Sequence, residues 1–138
     1  MIVLLPDEKC LILKWGKTMI TVYVRHYLNE NGRTYFDKEW FPYVQQIIIQ
    51  QMGYELIQAS KDEFDVDCRN IIVKFKNQET LNDWVNHPSH QEVINNLDKY
   101  RTKAWHWVTM EGNNPQPPKS LSDWNEVALT NVSAAHSL

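Results

Sequence analysis

Residues 19–28 alternate strictly. Ile20, Val22 and Val24 fall on one side, and Thr21, Tyr23, Arg25 and Tyr27 on the other. That period of two predicts a strand with one apolar face and one polar, aromatic face. Such a strand belongs in an antiparallel sheet, where only one face needs cover from the core. The remainder of the chain must therefore supply partner strands and something apolar to lay over Ile20, Val22 and Val24.

The cover comes from two helical regions. Residues 29–32, Asn-Glu-Asn-Gly, read as a turn, after which a helix runs from a cap at Thr34 to Met52, with Gly53 just beyond its end. Phe36, Trp40, Tyr43, Val44 and Ile47 form its apolar stripe, and Pro42 predicts a kink within it. Strands follow over 54–60 and 68–76, separated by the charged connection 61–67. Residues 77–101 read as two helical pieces broken at Pro88, with Val93, Ile94 and Leu97 buried. Ser89 and Glu92 have the spacing of a capping box at the start of the second piece. A fourth strand spans 103–111, setting Trp105, Trp107 and Thr109 against Ala104, His106, Val108 and Met110; which set faces the helices is open.

Strand, helix, strand, strand, helix, strand is the ferredoxin-like βαββαβ order, an α+β fold. Right-handed crossovers put both helices on one face of the antiparallel sheet. The opposite face is left bare, carrying Tyr23, Tyr27 and Ile72, and a second copy of the chain is its simplest cover. A homodimer is expected on that ground. The chain divides into an arm over 1–18, this domain over 19–111 and an extension over 112–138. The arm holds a β-like patch at 10–15. In the extension a proline-rich linker precedes a short terminal helix over 120–129, capped by Ser122 or Asp123 and docked by Trp124.

The net charge of −3 argues against nucleic acid as partner, since phosphate contacts need a concentrated basic surface. No apolar run approaches a membrane span, and two cysteines, Cys10 and Cys68, are too few for a secreted disulfide scaffold. The expectation is a cytoplasmic protein with no membrane contact. Six tryptophans in 138 residues are the anomaly, because so much aromatic surface needs a core, a ligand or a partner to cover it.

Two stretches carry a family resemblance. Met19-Ile-Thr-Val-Tyr-Val-Arg25, and the run Phe75-x5-Leu81-x2-Trp84-x3-Pro88-x-His90, resemble the antibiotic biosynthesis monooxygenase family. The likeness covers residues 19–111. It implies a homodimer whose sheets close into an α+β barrel, with a pocket between each sheet and its helices. It also implies binding of a small aromatic or polycyclic compound, with oxygenation that needs no cofactor in some members and haem degradation in others. The haem-degrading branch uses a strand Asn, a helical Trp and a His ten residues after that Trp. Here Trp84 matches, but Arg25 stands at or near the Asn position and Ile94 at that of the iron ligand.

The site candidates each have a bland alternative. Trp84 is a stacking wall for a planar substrate or a core anchor. His90 is a general base or an ordinary first-turn helix residue, and His106 takes the base role only if its strand register aims it at the pocket. Arg25, with Tyr23, is a donor to an anionic oxygen or half of an intersubunit ion pair. His87 and His90 straddle a proline and lack matching ligands, so no metal site is expected. The competing reading of the chain is a non-catalytic dimeric binding or assembly module, with no enclosed cavity.

Overall fold

The computed structural model describes residues 18–112 and 114–129. The expected N-terminal arm, including its β-like patch and Cys10, lies outside the described residues apart from position 18. β1 (Ile20–Tyr27) lies inside a five-stranded antiparallel sheet, between β3 (Cys68–Phe75) and β4 (Trp105–Glu111). β2 (Tyr54–Lys61) flanks β3, and β5 (Asn125–Val127) flanks β4. The α+β architecture is the expected one, with helices on a single face. Val24 pairs with Ile71 and Trp107, and Arg25 with Asn70 and His106. This register settles the fourth strand: Trp105, Trp107 and Thr109 face the helices, while His106 lies on the open face beside Tyr27.

The first helical region differs from expectation at both ends. α1 (Glu30–Tyr35) begins inside the supposed turn, because the Asn29 side chain accepts from the Gly32 backbone N–H at 2.8 Å. Thr34 is thus a helix residue and not its cap. A π-helical turn (Phe36–Trp40) joins α1 to α2 (Phe41–Ile48), and Pro42 sits in the first turn of α2. The proline has no N–H to give, and the wider π turn, closed by Phe41 N–H on the Phe36 carbonyl, takes up the mismatch. The buried stripe accordingly becomes Phe36, Trp40, Val44 and Ile48. Tyr43 turns outward, where its hydroxyl meets Glu92.

The second region is α3 (Gln78–Val85) followed by α4 (Pro88–Leu97). The capping box exists, but at the start of α3, where Asn77 and Thr80 exchange side-chain and backbone bonds. Ser89 does not cap α4. Its backbone N–H donates to Nδ1 of His87, which is the cap residue, and Pro88 occupies the first helical position. Proline is favoured there because that N–H has no intrahelical partner to lose.

The extension folds back on the domain. In place of a terminal helix there is a 3₁₀ turn (Leu121–Asp123) capped by Ser120, then β5 on the outer edge of β4. Residues 114–124 cross the open face. The Tyr23 hydroxyl donates to the Pro115 carbonyl, and Lys74 Nζ reaches Asn114 Oδ1 at 2.7 Å. Trp124 docks, as expected, with its ring 6.4 Å from that of Tyr23 and its indole N–H on the Pro118 carbonyl.

Beyond the strap, the open face carries a polar network around Asp62. Its carboxylate accepts from Arg25 Nη1 (3.1 Å), Asn70 Nδ2 (3.0 Å) and the backbone N–H groups of Phe64 and Asp65. Arg25 also donates to Asn70 Oδ1 and the Tyr27 hydroxyl. These bonds, the Asn70 amide first, hold the Asp62 carboxyl at about 2, against an ordinary 3.8.

Two outcomes are expected. A methyl at Gly32 would come within 2.4 Å of Tyr100 Cβ, so Gly32→Ala should destabilise by about 1–3 kcal/mol through overpacking, reversing the usual helical gain of ~1 kcal/mol. A urea midpoint at or above wild type would contradict this. The depressed carboxyl of Asp62 contributes stability that is complete above pH 3.8 and is lost as pH falls toward about 2. Asp62→Asn should therefore lower stability at neutral pH and flatten its decline through that acid window; parallel pH profiles for both proteins would rule out the role.

Candidate functional site

Sheet and helices do not pack flush. A cavity of about 410 Å³ remains between them, of a size that suits a small organic ligand. Val22, Val24 and Ile71 form its floor, and Val44, Leu81 and Val93 come from the helices above. Four of the chain's six tryptophans reach it: Trp40, Trp84, Trp105 and Trp107. The indole N–H of Trp40 is spent on the Val93 carbonyl at 2.7 Å, which fixes the ring and ties α4 to the π turn. The aromatic excess in the composition thus finds its cause in one place.

Two imidazoles join the indoles. His90, in the first turn of α4, stands edge-on to Trp84 at 5.4 Å between ring centroids. Burial pushes its pKa below the ordinary value, so the ring is neutral at pH 7. His26, on β1, is only 1% exposed and lies against Trp40 (5.7 Å) and Trp105 (4.9 Å). Its pKa is driven far down, by burial first and then by the Arg101 charge and His90. A cavity with indole walls and two neutral imidazoles can hold a planar molecule and exchange a proton with it.

The candidates from the sequence do not meet in one site. Trp84 and His90 line this cavity; Tyr23, Arg25 and His106 lie on the other face of the sheet. There, Tyr23 and Arg25 border a second hollow of about 710 Å³ beneath the strap, closed partly by Pro115, Pro117 and Trp124. Arg25 forms an ion pair within the chain, Nη1 to Asp62 Oδ1 at 3.1 Å. His106 takes the Tyr27 hydroxyl at 3.0 Å, and burial is the main reason that its pKa is lowered. His87 is a helix cap stacked on Trp84.

His26 and Arg101 were missed. The alternation of β1 does place His26 on the Val22–Val24 side, which was the available signal. Nothing in sequence joins it to Arg101, 75 residues away. Among the described residues there is no cluster of three or more His, Cys, Asp or Glu side chains suited to a metal ion. Cys68 is a free, buried thiol pushed up to about 12, mainly by burial, and so is no nucleophile. No helix among the described residues is long and apolar enough to cross a membrane.

No family model matches the chain, and no curated protein gives a significant match. Solved structures do resemble it. A conserved protein from Methanosarcina mazei Go1 aligns at a TM-score of 0.64 and 9% identity, over 73% of this chain and 99% of that one. A putative antibiotic biosynthesis monooxygenase from Deinococcus radiodurans aligns at 0.62 and 12% identity, over 73% and 99%. SnoaB, a cofactor-independent oxygenase from Streptomyces nogalater, aligns at 0.60 and 10% identity, again over 73% and 99%. At such identities the likeness speaks to fold alone. The chain has the α+β fold of the antibiotic biosynthesis monooxygenase structures.

Proposed function

We propose that this protein binds a planar aromatic or polycyclic compound between its sheet and helices and oxygenates it without a cofactor. The observation that carries this is the lining: four indoles and two imidazoles around an otherwise largely aliphatic cavity. Indole walls stack on a flat ring system, and Trp84 serves in that role. His90 is the base. It accepts the proton of an acidic C–H or phenolic O–H, leaving a carbanion or phenolate whose electrons reduce O2. For a CH2 flanked by an aryl ketone the balance is RH2 + O2 → R=O + H2O. The carbanion adds O2 to give a peroxide anion, which takes the proton back from His90 as a hydroperoxide. His90 then removes the remaining C–H proton, the carbonyl forms as the O–O bond breaks, and that proton leaves with the hydroxide as water.

The Tyr23–Arg25 pair and His106 have no part in this site. Haem chemistry draws no support from position 94, where an aliphatic Ile94 lines the cavity wall. The homodimer belongs to the same reading: two copies meet through the open face together with the strap that crosses it, where Tyr23, Ile72 and Met110 are half-buried. The non-catalytic binding or assembly module shares the fold but expects no enclosed cavity between sheet and helices, and the 410 Å³ cavity counts against it.

Anthrone, a tricyclic aryl ketone, should quench the intrinsic tryptophan fluorescence saturably and support oxygen uptake. His90→Gln should keep the quenching and lose about 10²–10⁴-fold in turnover. A base works only when unprotonated, and burial lowers the pKa of His90, so activity should hold through neutral pH and fall only below pH 6.5. Quenching without oxygen uptake would leave a binding module; no quenching would end the aromatic-ligand reading. For the dimer, sedimentation velocity should give two chains per particle for wild type and one for Ile72→Lys. A monomeric wild type removes the pairing.

A further inference from the structure

Arg101 is 3% exposed, yet each nitrogen of its guanidinium has a partner. Nε donates to Asp98 Oδ1 at 2.9 Å, Nη2 to the Ile94 carbonyl at 3.2 Å, and the group lies 5.1 Å over the Trp105 ring. Nη1 points at Nδ1 of His26, 2.9 Å away. A guanidinium has donors only and keeps its proton in proteins. Nδ1 of His26 must therefore be the acceptor, which leaves the ring proton on Nε2. The tautomer is fixed by the partner.

The rest of the ring is equally constrained. Trp40 and Trp105 hold it from the helix side and from β4. Nε2 makes no hydrogen bond to any described residue, while the ring lines the ligand cavity. A second proton on Nδ1 would set an imidazolium against the guanidinium, so this ring does not accept from a ligand. It only donates.

We infer that His26 Nε2–H is the hydrogen-bond donor to an oxygen on the cavity's ligand, and that Arg101 is the residue that positions it. The inference rests on the aromatic-ligand reading above and narrows it. The ligand is an oxygenated aromatic, an aryl ketone or a phenol, rather than a bare hydrocarbon. The two imidazoles then divide the work. His90 takes a proton, and His26 stabilises the negative charge that proton loss leaves on oxygen, without transferring its own. Because the donor is neutral and held in place before reaction, it need not reorganise as the charge develops.

Two measurements test this. The first uses the ligand-free protein: in a ring-nitrogen NMR correlation spectrum of nitrogen-15-labelled chain, His26 should be a single Nε2–H tautomer that does not titrate where histidines ordinarily do. Arg101→Met should convert it to a tautomer mixture. A wild-type proton on Nδ1 overturns the proposal. The second compares anthrone with dihydroanthracene, the same ring system lacking the oxygen. Wild type should hold anthrone about tenfold more tightly, the value of one net hydrogen bond. His26→Phe should lose that preference while still binding dihydroanthracene. Equal binding of the two by wild type, or a preference that survives His26→Phe, sinks the donor role alone. Failure of both compounds to bind wild type sinks the aromatic-ligand reading and the donor role with it.

Discussion

A buried guanidinium is costly unless every donor is engaged, and Arg101 sits where that demand organises the most structure. It lies at the junction between the second helical region and β4. Around it Leu28 and Arg101 form an isolated bridge, Asn29 N–H meets the Tyr100 carbonyl, and Thr102 N–H meets that of Tyr27. Through Ile94 and Asp98 the side chain holds the end of α4; through His26 it holds β1. Removing one member of such a set strands the charge and costs about 3–5 kcal/mol in typical cases. The same bonds that fasten helix to sheet orient the His26 ring in the cavity.

The faces of β1 are put to opposite uses. One side has the apolar cavity, where no carboxylate among the described residues lines the wall and burial lowers the pKa of both histidines. On the other, Arg25, Asp62, Asn70, Tyr27 and His106 bond to one another. Most of the polar groups in this network are spent on one another. Its role is to fix the connection between β2 and β3, whose backbone N–H groups at Phe64 and Asp65 end on Asp62.

Much of this was legible in the sequence, and the misses have local reasons. The alternation of β1 was sufficient to sort its residues by face, because side-chain direction in a strand depends on position alone. Register was not, since pairing β4 against β1 is a long-range choice, and only the pairing told Trp107 from His106. Asn-Glu-Asn-Gly looked like a turn because its glycine has two uses; here it admits Tyr100 against the helix, a contact sequence does not advertise. Ser89 lost the cap to His87 because Pro88 prefers the first helical position, which moves the cap one residue earlier. β5 was unreadable because three residues, Asn125–Val127, become a strand only by having an edge to bind. Trp84 and His90 stand out in the sequence by their spacing around Pro88, whereas His26 acquires its character from a distant arginine.

The strap over the bare side of the sheet bears on solubility. β4 would otherwise present a free row of backbone donors and acceptors, a template for any passing strand. β5 fills part of that row and is too short to propagate it. The strap leading to it contains Pro115, Pro117 and Pro118, which have no N–H to donate. At the far edge, β2 breaks its register between Tyr54 and Leu56. Among the described strands, both borders of the sheet are thus poor templates for edge-to-edge pairing.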